Sequence, residues 1–200
     1  MARQPTVTKE KLIEAAATTI LRFGLRKTTL EDIGKVAGVT KAAVLYHFHS
    51  KEELIATVVE QEYQGFFDSL RGAVEREPTA EGKLRAFGLG RFQYTKDRLS
   101  VYAAYGDVTR EVLESLMPLV RAALERLREK ELELLRGILS DGMRSGEFAP
   151  GDPDLMAMAA MAALTGLSDA FMLYGRESRI DEGLQQLFRL LMDGLRRRSA

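Results

Sequence analysis

The chain offers few residues of the kind that hold metals or attack substrates. There is no cysteine, so disulfides, thiolate nucleophiles and thiolate metal sites are excluded. The two histidines, His47 and His49, stand two positions apart; on a helix they share no face, and no metal site is expected from them. Gly88-Leu89-Gly90 lacks both a preceding strand and a third glycine, so it is not a dinucleotide-binding loop, and no cofactor is expected. No catalytic grouping stands out, and an enzyme is not expected. What does stand out is a short run of small, basic and aromatic residues: Thr40-Lys41-Ala42-Ala43 followed by Tyr46-His47. A lysine, a phenol and an imidazole can bond base edges or phosphates, and alanines between them permit close approach.

Such a surface needs a frame that holds it outward. Apolar residues recur at helical spacing throughout the chain and period-2 alternation is absent, which predicts an all-α fold. Leu12, Ala16, Ile20 and Phe23 stripe a first helix, with Thr8 as its N-cap and Gly24 as its stop. Thr28 and Thr29 precede Leu30-Glu31-Asp32-Ile33, and either has an acid at the capping-box position. Ala37-Gly38-Val39 is a tight turn, and Thr40 caps the next short helix to about His47. Helix, tight turn and second short helix form a helix-turn-helix, in which the first helix braces the second for the major groove. Ile33, Ala37, Val39, Val44 and Phe48 have the spacing of a shared core, which leaves Lys41, Ala42, Ala43, Tyr46 and His47 outward. Ser50-Lys51-Glu52-Glu53 opens a long helix expected to end near Glu77, before Pro78.

The charge distribution agrees. The chain is neutral overall, yet residues 1–55 carry nine Lys/Arg against six Asp/Glu, a balance of +3 that leaves −3 on the remainder. A basic end on an acidic body suits a polyanion partner at that end. Met1 to Pro5 is polar and no secretory signal is visible. The longest uncharged run, Leu155 to Ser168, falls short of the roughly 20 apolar residues that a bilayer span needs. A cytoplasmic chain with no membrane partner is the expectation.

The ordered set Ile13-Glu14-Ala15-Ala16, Phe23-Gly24, Thr28-Thr29-Leu30, Ile33, Ala37-Gly38-Val39-Thr40-Lys41, Tyr46-His47-Phe48 and Lys51-Glu52-Glu53-Leu54 resembles the tetracycline-repressor (TetR) family of bacterial regulators over about a quarter of the chain. A weaker echo lies at Gly142 to Phe148 and Leu164 to Leu167. The resemblance implies a three-helix DNA-binding head, residues 1–50, and a helical-bundle body, residues 51–200, that binds a small-molecule effector and pairs with a second copy. It implies a transcriptional repressor on a palindromic double-stranded DNA operator, with a transcriptional activator of the same fold as one alternative. A helical lipid carrier or enzyme with an incidental N-terminal motif is the other. Thr40 to His47 match the recognition helix and Lys51 a phosphate-contacting lysine, so the DNA-binding set is Thr28, Thr29, Thr40, Lys41, Ala42, Ala43, Tyr46, His47 and Lys51. The family's usual tyrosine falls at Leu45 here, and Gly34 stands where alanine is common, which should slightly loosen the supporting helix.

In the body, helices are expected from Thr79 through Phe92, over Val101 to Tyr105, from about Pro118 to Met143, after Asp152-Pro153, and along Leu184 to Leu195. The aromatic and methionine residues Phe66, Phe67, Phe87, Phe92, Tyr94, Tyr102, Tyr105, Met117, Met161 and Phe171 suit an apolar pocket between helices for an apolar or aromatic effector. Leu155 to Leu167 is apolar nearly all round, and Ala159, Ala163 and Gly166 would let another helix come close. With Leu155 and the stripe of Leu184, Leu187, Phe188, Leu191 and Leu195, they form the expected homodimer interface.

Overall fold

The computed structural model describes residues 8–25, 27–104, 110–174 and 180–195, and the side chains of 8–25, 27–97, 125–168 and 182–195. Among them are eight helices and no strand: α1 (Lys9–Phe23), α2 (Leu30–Ala37), α3 (Lys41–His47), α4 (Lys51–Glu75), α5 (Ala80–Ala104), α6 (Arg110–Ser145), α7 (Pro153–Tyr174) and α8 (Ile180–Leu195). Two expectations in the body are corrected. Of the short piece expected at Val101 to Tyr105, Val101 to Ala104 end one continuous α5 and Tyr105 lies outside the described residues, and α6 begins at Arg110 rather than near Pro118. Pro118 suggests a helix start because proline suits a first turn, yet it lies inside α6.

The chain forms two compact units, one of residues 1–65 and 100–126, the other of 66–99 and 127–200. In the first, Leu12, Ala16, Leu30, Ile33, Ala37, Val44, Phe48, Leu54 and Val58 make one core, with Val39 packed on its edge. Leu12, Ile33, Val44 and Leu54 are wholly buried, so α1, α2, α3 and the start of α4 lock around each other.

The core of the second unit joins Leu70 and Val74 of α4, Leu84 and Phe87 of α5, Leu135 and Leu139 of α6, Met161 of α7 and Phe188 of α8. A capped corner holds it together. The Thr79 hydroxyl accepts from the Gly82 N–H at 3.0 Å, and the Glu147 carboxylate accepts from the Ala80 N–H at 2.9 Å. The two acceptors satisfy donors of the first turn of α5 that the helix itself leaves free. Phe148 is buried against Gly142 and Ala80, where a Cβ on Gly142 would collide with the ring. The weak echo at Gly142 to Phe148 is thus a packing device. The Asp152 carboxylate accepts from the N–H groups of Asp154 (2.9 Å) and Leu155 (3.2 Å), starting α7.

Candidate nucleic-acid interface

The start of α2 is fixed by one threonine of the pair. Thr29 forms a reciprocal capping box with Asp32: each accepts the other's backbone N–H at 3.1 Å. Thr28 is buried and its hydroxyl donates to the Gly24 carbonyl at 2.8 Å, so it ties the chain to the end of α1 and faces no ligand. Thr28 is accordingly corrected from the DNA-binding set to the frame.

The turn between α2 and α3 depends on two glycines. Gly38 has φ 74° and ψ 32°, the left-handed region that penalises a Cβ. Gly34 is buried, and a Cβ there would stand 2.8 Å from the Val39 carbonyl oxygen. Its absence lets the turn lie directly on α2, with the Val39 N–H donating to the Gly34 carbonyl at 2.8 Å. The glycine that the sequence marks as a loosening of α2 is a contact point of the motif.

The Thr40 hydroxyl accepts from the Ala43 N–H at 3.3 Å and starts α3. Val44 and Phe48 anchor α3 in the core and set its roll. At 3.6 residues per turn, the remaining positions fall on three ridges: Lys41 with Leu45, Ala42 with Tyr46, and Ala43 with His47. Thr29, Thr40, Lys41, Ala42, Leu45 and Tyr46 are exposed, Ala43 and His47 half-buried. Tyr46 is 84% exposed and lies edge-on to His47, with ring centroids 5.2 Å apart. Leu45, absent from the predicted set, is 39% exposed; its place on an outward ridge is the signal that could have found it.

Lys51, at the first position of α4, is half-buried and its ammonium donates to the Leu25 carbonyl at 2.7 Å. Burial pulls its pKa below the usual lysine value. Lys51 therefore braces the loop after α1 as well as standing at a helix start. The Ser50 hydroxyl accepts from the Glu53 N–H at 3.0 Å, while the Glu53 carboxylate accepts from the His49 N–H at 2.7 Å and meets its ring at 3.0 Å. Among the described residues no group of three or more His, Asp or Glu could hold a metal.

Among the described side chains, the predicted pocket residues take separate places. Phe67, Phe87, Phe92 and Met161 are buried core. Phe66 stacks on Tyr94, centroids 4.0 Å apart and planes at 23°. Tyr102, Met117 and Phe171 lie on α5, α6 and α7 with side chains outside the described residues, and Tyr105 lies outside them altogether. An open cleft of about 770 Å³ has Glu77, Arg85, Leu89, Phe92, Leu184 and Phe188 among its lining residues. The Arg85 guanidinium sits 5.0 Å from the Phe188 ring centroid.

Sequence reasoning missed a buried polar cluster. Arg91 pairs with the fully buried Glu131 and donates to the Thr165 hydroxyl at 3.2 Å, while Thr95 and Ser168 share a hydrogen bond at 3.3 Å. These side chains come from α5, α6 and α7, and the chain order gives no sign that they meet.

The predicted interface residues divide. On α7, Leu155 (64% exposed), Ala159 and Gly166 are exposed and Ala163 half-buried, and Met158 and Ala162 extend the open stripe. On α8, Leu187 and Leu191 are half-buried, but Leu184, Phe188 and Leu195 belong to the unit's own core rather than to an open face. The physical reason is rotation: α8 turns its strongest apolar ridge inward and leaves Leu190 outside.

Residues 12–58 match the family described as bacterial regulatory proteins, tetR family. The chain is 26% identical over 192 residues to the HTH-type transcriptional repressor KstR2 of Rhodococcus jostii, covering 94% of this chain and 90% of that one. Its fold matches the crystal structure of a transcriptional regulator from Cytophaga hutchinsonii with a TM-score of 0.78 at 23% identity, covering 94% and 98% of the two chains. It also matches the transcriptional regulator FadR of Bacillus subtilis, solved in complex with stearoyl-CoA, with a TM-score of 0.63 at 18% identity over 94% and 99%. The braced α2–turn–α3 motif lies wholly inside the segment that matches the tetR family of bacterial regulatory proteins.

Proposed function

We propose that the chain is a homodimeric transcriptional repressor that binds a palindromic operator through its head, residues 1–50, and is released by a small apolar or aromatic effector taken up by its body, residues 51–200. The observation that carries the reading is the geometry of α3: a short capped helix, locked from behind by Val44 and Phe48, with Lys41, Ala42 and Tyr46 turned to solvent. A side chain as exposed as Tyr46 contributes little to its own fold beyond the edge-on contact with His47, and on a groove-reading helix it is free to meet a partner. The reading is of a regulator in the cytoplasm rather than an enzyme; among the described residues no helix is long and apolar enough to cross a membrane.

Operator binding would exclude polymerase. The effector would favour a body conformation in which the two heads no longer match the half-site spacing, shifting the population off DNA. The acyl-CoA bound by the Bacillus subtilis regulator and the aromatic content of this body (Phe66 on Tyr94, Phe92 in the cleft wall) both support an apolar effector.

Selection from random-sequence duplexes with the full chain, followed by mobility shift and a reporter carrying the selected site over its promoter, tests the reading. A palindromic consensus that silences the reporter is expected. Retardation of all duplexes alike would refute it.

A further inference from the structure

We propose that Leu45, extended by Ala42, reads thymine 5-methyl groups in the major groove of the operator, which makes Leu45 a specificity-determining residue of α3. The inference rests on the DNA-binding reading above. The core burial of Val44 and Phe48 leaves α3 one orientation, in which Leu45 is 39% exposed and Ala42 is exposed three residues earlier. Lys41 and Tyr46 flank them with polar groups.

An exposed leucine on a groove-reading helix leaves water only against an apolar surface. Base edges in the major groove present donors, acceptors and one apolar group in ordinary DNA, the thymine methyl. Three helical residues rise about 4.5 Å, close to the roughly 3.4 Å step of base pairs along a strand. Ala42 and Leu45 can therefore address neighbouring pairs. A tyrosine at position 45 could reach a phosphate; leucine has no group for that and gives the position to base readout instead.

The test uses the full chain and the site it selects from random-sequence duplexes, resynthesised with uracil in place of one thymine at a time. At one or two positions per half-site uracil should weaken wild-type binding about fourfold, and about 15-fold when both half-sites are changed, the worth of one methyl desolvated at each. Leu45→Ala should lose this discrimination at one position per half-site, binding thymine and uracil there within about twofold of each other. Its side chain is exposed, so it should melt with the wild type, and a thermal melt checks that. Uracil tolerated at every thymine, with sequence selection intact, overturns the Leu45 assignment and leaves the DNA-binding reading standing. A selected site with cytosine at the sensitive position, strengthened only by 5-methylcytosine, assigns the methyl to modified DNA and overturns the thymine assignment. A chain that selects no sequence overturns both readings.

Discussion

The Lys51 ammonium commits one of its three donors to the Leu25 carbonyl, and this changes what its removal does. Lys51→Ala should cost about 1 kcal/mol of stability for the lost hydrogen bond and should weaken binding to all DNA sequences by a similar factor. Thermal melts and titrations at several salt concentrations check it. A salt slope lowered by about one per half-site adds a direct phosphate contact; an unchanged slope leaves Lys51 as a brace only. The capping box makes a pH prediction. Hydrogen bonds from Thr29 hold the Asp32 carboxyl below its ordinary 3.8. A depressed carboxylate pKa contributes stability that is present above the unfolded value and is lost as pH falls through the lower folded one. Asp32→Asn should thus lower the melting temperature at neutral pH and flatten its fall below about pH 4. An Asn variant with the wild-type acid profile would remove Asp32 from the cap. The sequence showed that α2 starts here but not which threonine starts it. Thr28 and Thr29 each precede an acid by three residues, and only the reach back to the Gly24 carbonyl, a matter of chain path, separates them.

Among the elements, α2 and α3 behave as one piece because their junction has no slack. Gly38→Ala should cost about 1–2 kcal/mol, since a Cβ in the left-handed region is strained even where, as here, nothing lies within 4 Å of it. The melting temperature should fall, and Gly38→Asn should fall less; equal stability of the alanine variant would contradict the strain argument. In the second unit the buried Arg91–Glu131 pair ties α5 to α6. Removing either partner leaves the other charge buried, at a cost of about 3–5 kcal/mol. Arg91→Met with Glu131→Leu together should cost far less than the two single changes summed, and a double-mutant cycle in urea measures this. Additive effects would show that the pair is not coupled. The sequence could not reveal this pair. Its partners are far apart in the chain, and charged residues on amphipathic helices ordinarily face water. The α2–turn–α3 motif was legible because its caps, glycines and apolar spacing are local signals, whereas the Arg91–Thr165 contact and the Glu147 cap on α5 form only once the chain has folded.

For the whole molecule, the decisive quantity is the number of copies. A single head makes few base contacts, and two heads on a two-fold axis can read half-sites about 34–36 Å apart. The run from Leu155 reads in the sequence as a helix apolar nearly all round, and in the folded chain Ala157, Ala160, Met161 and Leu164 face the core of their own unit. The opposite face, with Leu155, Met158, Ala159, Ala162 and Gly166, is open at helical spacing and forms the proposed seam for a second copy. Leu155 and Met158 are 64% and 60% exposed, an unusual cost for large apolar side chains unless something covers them. A charge placed on that face tests the seam without touching the protomer's core, which a charge at half-buried Ala163 would not. Met158→Glu with Ala162→Glu should give folded monomers by sedimentation, with a helical spectrum like that of the wild type. Operator affinity should drop by at least about 100-fold, because the second head no longer binds at the high effective concentration that linkage supplies. Affinity for a single half-site should stay unchanged, since α3 is untouched. A double variant that remains dimeric, or a monomeric one that keeps full operator affinity, would refute the α7 seam.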